Sequence, residues 1–132
     1  MTVKLEVGDT REAVLVDDLT RTQIVQYAGA SGDYNPLHTD EVFATKVAGY
    51  PTVFAHGMLT MGMTGRVLTD WVGVERLASY GVRFVAQVWP GDTLTATATV
   101  ESVDDGRAEI SLVTRNQRDE NVLTGTATVR LD

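Results

Sequence analysis

The chain has 132 residues, 43% apolar and 22% charged, with a formal net charge of −7 and no cysteine. This length fits one domain, residues 1–132, and lets about two-thirds of the unfolded surface be buried. The acidic balance argues against bulk attraction to nucleic acid or anionic membrane. Without cysteine there is no disulfide or thiolate chemistry, which fits a reducing compartment. No apolar run approaches the ~18 residues of a spanning helix, and MTVKLEVGDTREAV lacks the apolar stretch of a secretory signal. The expectation is a soluble cytoplasmic protein.

Arg11–Val16 reads as a short strand of mixed pattern. In DLTRTQIVQYAGASG, Thr20 with Gln23 three residues later matches a capping box. Ile24, Tyr27, Ala28 and Ser31 keep helical spacing, and Gly32 suits the C-terminal cap, so a helix is expected over Thr20–Ser31. Asp33–His38 is then the loop that leaves it. Asp40 is placed to cap a second short helix, EVFATKVA, closed by Gly49. After Pro51 comes AHGMLTMGMTGRVLTDWVG. Met58, Leu59, Met61, Met63, Val67, Leu68, Trp71 and Val72 make it apolar on most sides, as in a buried helix of about four turns. Gly57, Gly62 and Gly65 weaken it in isolation by up to ~1 kcal/mol each, and they permit close approach to a covering surface.

The second half changes character. YGVRFVAQVW, TLTATATVESV, RAEISLVTRN and NVLTGTATVRL are four expected strands. In the second, Leu94, Ala96, Ala98 and Val100 alternate with Thr95, Thr97, Thr99 and Glu101, a period of two. Pro90-Gly91-Asp92, Asp104-Asp105-Gly106 and the polar run 116–121 separate them, and Asp-Gly between alternating strands signals a hairpin. The order points to an α+β fold in which an antiparallel sheet wraps a buried helix.

The chemistry gathers in SGDYNPLHTDE and the FAHGML that follows. Asp33, Asn35 and Pro36 are good turn formers, so a plain structural turn is one reading. The other takes the residues together. Asp33 and His38 stand five positions apart with a proline between, so both side chains can turn toward one point. A carboxylate and an imidazole sharing a water form an acid–base pair near neutral pH, with Asn35 available to orient one of them. His56-Gly57 falls where the central helix starts. Unpaired amides and a partial positive charge there suit a carbonyl that gains charge in a transition state. Gly57 also serves a tight turn, and His56 is open to a catalytic, a supporting or a merely packed role. Asp33, His38, Asp40 and His56 are conceivable metal ligands. Leu37 breaks an EF-hand pattern and no zinc spacing is present, so neither metal nor cofactor is expected.

The segment Tyr27–Leu59, YAGASGDYNPLHTDEVFATKVAGYPTVFAHGML, closely resembles the signature of the MaoC-like dehydratases, the (R)-specific enoyl-CoA hydratase family. AHGMLTMG and TDWVG look particularly like the catalytic subunit of actinobacterial (3R)-hydroxyacyl-carrier-protein dehydratases. The strand order after the motif suits the family, so the likeness covers nearly the whole chain, and no core-motif position departs from the pattern. The resemblance implies a single hot-dog fold, a dimer with a continuous sheet across two subunits, and reversible addition of water to a trans-2-enoyl thioester, giving a (3R)-3-hydroxyacyl thioester. By matching positions, Asp33 and His38 would activate the water. Asp33 would exchange the proton next to the thioester carbonyl, Gly57 N–H would bind that carbonyl, and Asn35 would hold the pair in place. Ser31 and His56 are taken as supporting residues.

An acyl chain needs an apolar tunnel. Tyr50, Val53, Phe54, Met58, Met61 and Trp71 are its candidates, each also at home in a core. The phosphates of coenzyme A or a pantetheine arm want positive charge, for which Arg83 and Lys46 are available. The expected partners are an acyl-CoA or acyl-carrier-protein thioester and a second copy of the chain. Alternatives are the catalytic half of a heterodimer with a non-catalytic hot-dog subunit, and a hot-dog thioesterase, against which the intact D-x-N-P-L-H loop speaks.

Overall fold

The structure is a computed structural model that describes residues 3–132. Strand β1 (Thr10–Val16) leads to helix α1 (Arg21–Ser31), a short helical turn (Phe43–Val47), the central helix α2 (Gly57–Val72), and strands β2 (Leu77–Phe84), β3 (Leu94–Asp104), β4 (Arg107–Arg115) and β5 (Asn121–Arg130). One five-stranded sheet runs β1-β3-β4-β5-β2, with every neighbouring pair antiparallel. It curves around α2, the hot-dog arrangement. None of the helices described is long and apolar enough to cross a membrane.

Local chemistry explains the elements. The capping box forms: Thr20 Oγ1 accepts from the Gln23 amide at 3.0 Å, and Gln23 Oε1 accepts from the Thr20 amide at 2.9 Å. Gly32 closes α1 at φ 78°, a left-handed value that only glycine adopts without strain, and its N–H reaches Ala28 O. The β3–β4 hairpin turns through Asp105 and Gly106, both at positive φ, as a two-residue turn matched to strand twist requires. Along β3, Leu94, Ala96, Ala98 and Val100 are buried and the intervening threonines face outward.

Alanines 96 and 98 leave room for α2, whose Val67, Leu68 and Val72 pack against Ile110, Leu112 and Val129. Truncating the fully buried Leu68 to alanine is expected to destabilise by about 2–5 kcal/mol. Two polar links fix the helix to the sheet. Thr64 and Thr114 share a buried hydroxyl–hydroxyl bond of 2.6 Å. Tyr80 OH donates to Met61 O at 2.8 Å, and burial pushes that phenol up to about 12. Its ring lies 3.1 Å from where a Cβ on Gly65 would stand.

The structure departs from the sequence reading in places. The helix expected over 41–48 widens into a π-helical turn. Asp40 does cap it, accepting from Phe43 N–H at 3.1 Å. Glu41 is drawn aside to Thr52, the Val53 amide and Arg21. The strand expected over 80–89 begins at Leu77 and stops at Phe84, because the amides of Val85 and Ala86 both turn to Val122 O and end the ladder. The central helix is not apolar all round: its buried face includes Thr60 and Thr64, while Met58 is 57% exposed. Gly62 faces no neighbour within 4 Å, so close packing explains Gly57 and Gly65 but not Gly62.

Candidate active site

The loop leaving α1 is wound by its own side chains. Ser31 Oγ accepts from the Asp33 amide at 3.1 Å, Asp33 Oδ1 accepts from the Asn35 amide at 3.2 Å, and Asn35 Oδ1 accepts from the Leu37 amide at 3.0 Å. The His38 amide then donates to Asn35 O at 3.1 Å. These local turns are what Ser, Asp and Asn do well. Asn35 thus touches both members of the pair through its backbone, and its side chain serves the loop rather than either functional group.

A second segment runs alongside, with Phe54 N–H donating to Leu37 O and Ala55 N–H to Val88 O. Each segment supplies the carbonyl that fixes the imidazole of the other. His38 Nδ1 lies 2.6 Å from Phe54 O, and His56 Nε2 lies 3.0 Å from Asp33 O. A carbonyl only accepts, so each contacting nitrogen carries the proton. His38 therefore presents a free Nε2, and His56 keeps a lone pair on Nδ1, which is buried without a partner. The rings stack with centroids 3.9 Å apart, and Tyr27 meets His56 edge-on at 4.8 Å. Burial holds the His56 ring below its ordinary pKa, and the positive charge His38 can carry adds to that, while the Asp33 carbonyl opposes it. The Asp33 carboxylate is exposed, with the Asn35 amide as its one hydrogen-bond donor among the described residues.

Ligating atoms of Asp33, His38 and His56 lie within 4.8 Å of one another. The two ring planes are 27° apart, and with one nitrogen of each ring bonded to a carbonyl, each ring has one lone pair left.

Gly57 opens α2, its amide among the unpaired donors of the first turn. It lines a cleft of about 280 Å³ with Phe54, Thr60, Phe84, Val88 and Val122. Phe54 joins the cleft to the histidines, since its ring meets His38 edge-on at 5.2 Å. Tyr50 stands behind it at 4.8 Å, in an aromatic wall with Trp89.

The other sequence candidates lie elsewhere. Val53 is core, and Met61 and Trp71 pack against core clusters. Met58 points to solvent and does not line the cleft. Tyr80 and Phe84 of β2 reach toward α2, so Arg83, one residue out of phase, faces the opposite side of the sheet beside Thr124 and Gly125. Lys46 is exposed on the short helical turn. Thr60 and Phe84 were missed. Phe84 shares the strand parity of Tyr80, and Thr60 is a polar residue one turn beyond Gly57.

Residues 3–122 match the model of the MaoC like domain. The 3-hydroxyacyl-thioester dehydratase Y of Mycobacterium tuberculosis is 36% identical over 106 residues, covering 78% of this chain and 36% of that protein. Enoyl-CoA hydratase ChsH3 of the same organism is 39% identical over 95 residues, covering 70% of this chain and 32% of that protein. The chain thus spans about a third of these two relatives, and only 5% of a fatty acid synthase subunit beta from Aspergillus oryzae, to which it is 39% identical over 78% of its own length. Among solved structures, an (R)-hydratase from A. caviae superposes with a TM-score of 0.85 at 26% identity, covering 97% of this chain and 98% of that one. A chain of the M. tuberculosis ChsH1-ChsH2 complex superposes with a TM-score of 0.83 at 28% identity, covering 100% of both. With the loop, the helix end and the wrapped sheet all in place, the chain belongs to the MaoC-like dehydratase family.

Proposed function

We propose that this chain is a hydro-lyase that interconverts trans-2-enoyl thioesters and (3R)-3-hydroxyacyl thioesters. The observation that carries the reading is the pairing of a free imidazole nitrogen and an open carboxylate, Asp33 and His38, with the helix end at Gly57 across one aromatic side chain. The (R) sense rests on the likeness to an (R)-hydratase.

Water adds to C3 of an enoyl thioester only as electron density moves from the double bond to the carbonyl oxygen. Gly57 N–H and the positive end of α2 receive that developing charge. His38, with its proton on Nδ1, takes a proton from water at Nε2 while the C3–O bond forms. Asp33, which enters as a carboxylate, accepts that proton from His38 and passes it to C2 as the enolate collapses, so the hydroxyl of water ends on C3, its proton on C2, and both groups return to their starting forms. General-base help contributes roughly 10²–10⁴-fold and one oxyanion donor roughly 10²–10³-fold. Ser31 and Asn35 hold the loop, and His56 holds the Asp33 backbone while stacking on His38. Phe54 borders the acyl path, and Tyr50 backs it.

The active unit is proposed to be a dimer. Among the described residues strand β2 pairs only with β5 and leaves its other edge open, which suits sheet continuation into a second subunit. The likeness to a ChsH1-ChsH2 chain favours testing a heterodimer beside the homodimer. The experiment is a two-channel assay of the purified chain with a short trans-2-enoyl-CoA. Loss of enoyl absorbance without free thiol, giving the (3R) product, is expected. Thiol release would make the protein a thioesterase and contradict the reading.

A further inference from the structure

Thr60 has an unusual position for a threonine. Its residue surface is 3% exposed, it sits one turn into α2 from Gly57, and it lines the same cleft. Helical threonines commonly turn the hydroxyl back to a carbonyl of the preceding turn. Thr45 does so to Glu41 O at 2.8 Å and Thr69 to Arg66 O at 3.4 Å. Thr64, also buried, bonds Thr114. Thr60 alone of the buried helix threonines has a hydroxyl with no hydrogen-bond partner among the described residues. The Thr60 oxygen is not among the fully enclosed side-chain atoms without a partner, of which His56 Nδ1 is one, so this hydroxyl reaches the cleft and is open to bond what fills it. The rest of the lining is apolar except for Gln87 and backbone.

Helix geometry says what the hydroxyl can reach. Positions i and i+3 share a face, with Cβ atoms about 5–6 Å apart, and side chains lean toward the helix N-terminus. One oxygen at ordinary hydrogen-bond length from two donors, about 2.9 Å each, bridges such a gap. We propose that the Thr60 hydroxyl is a second donor to the thioester oxygen held at Gly57 N–H, so that the oxyanion site consists of one backbone amide and one side-chain hydroxyl. No bond to Thr60 forms or breaks, and its role is to stabilise charge. This rests on the hydratase reading above.

The test compares Thr60→Val, which keeps the shape and removes the donor, with Thr60→Ser, which restores it. Wild-type hydration of a trans-2-enoyl-CoA is measured first, and its absence would remove the hydratase reading and this inference with it. With wild-type activity in hand, Thr60→Val is expected to lower kcat about 10²-fold and Thr60→Ser to recover most of that loss. Because the hydroxyl has no protein partner, Thr60→Val is expected to melt no lower than wild type. The second readout needs no turnover. The carbonyl stretch of bound butyryl-CoA, ¹³C-labelled at the thioester, should move to lower frequency on wild type and move less on Thr60→Val. Wild-type turnover in Thr60→Val, or an unchanged carbonyl shift, would overturn the proposal. So would a loss of activity that follows a lowered melting temperature in both variants.

Discussion

A methyl group at Gly57 separates the chemistry of the helix end from its packing. A Cβ built there would lie 3.1, 3.2 and 3.3 Å from Cζ, Cε1 and Cδ1 of Phe84. Ordinary carbon contacts are about 3.5–4.0 Å, so the ring must retreat by a few tenths of an ångström. Phe84 is 50% exposed at the end of the edge strand β2 and has room to do so. Gly57 has no positive φ, so alanine meets no backbone strain. Overpacking typically costs about 1–3 kcal/mol, at its low end for a yielding ring, and alanine returns up to ~1 kcal/mol of helix propensity. The melting temperature of Gly57→Ala should therefore move by only a few degrees. Turnover should behave differently. The methyl enters the cleft that Gly57 and Phe84 both line, beside the amide; alanine keeps the N–H, so a crowded carbonyl approach is expected to cost up to the roughly 10²–10³-fold in kcat that losing such a donor would. The assay is the initial rate of enoyl absorbance loss at saturating substrate, beside a thermal melt. Gly57→Ala combined with Phe84→Ala relieves the ring contact and should stay slow. Wild-type turnover in Gly57→Ala would refute the assignment of the carbonyl to this amide.

Thr64→Val should lower urea-derived stability by about 1–3 kcal/mol, because it strands the buried Thr114 hydroxyl, while Thr64→Val with Thr114→Val should lie closer to wild type. His56 is held below its ordinary 6.5 chiefly by burial, so the unfolded chain binds its proton more readily than the fold does. Its neutral form gives full stability above about pH 6.5, and stability falls as pH drops below that value toward the lowered folded one. Urea melts between pH 5 and 7.5 should show that slope in wild type and a shallower one in His56→Gln. A slope unchanged in the variant would assign the acid sensitivity to other groups.

Much of this was legible because it is local. The Thr20–Gln23 box, the Gly32 cap, the Asp105-Gly106 turn and the β3 alternation each depend on residues a few positions apart, and all four formed. The proximity of Asp33 and His38 is local too, since side-chain-to-backbone bonds within 31–38 wind the loop. The unread parts depend on distant partners. Strand β2 ends at Phe84 because Val122 O, far along the chain, captures two amides. The β2 register relative to α2 decides that Phe84 and not Arg83 reaches Gly57. The identity of the protonated nitrogen on each histidine depends on carbonyls 16 and 23 residues away. Met58 was expected in the tunnel because it is apolar and near the helix start, but the helix rotation that buries Thr60 and Thr64 turns it outward.

The claim at the centre is that Asp33 and His38 act together on water. The most direct measurement is the turnover of Asp33→Asn against a short trans-2-enoyl-CoA, beside wild type and with the melting temperature recorded. The Asp33 carboxylate is exposed and, among the described residues, bonds only within its own loop, so the variant should keep the fold. A drop of roughly 10²–10⁴-fold with the melt nearly unchanged is the predicted result. Turnover within a few-fold of wild type would contradict the account, leaving His38 and the helix end to explain the chemistry without the carboxylate.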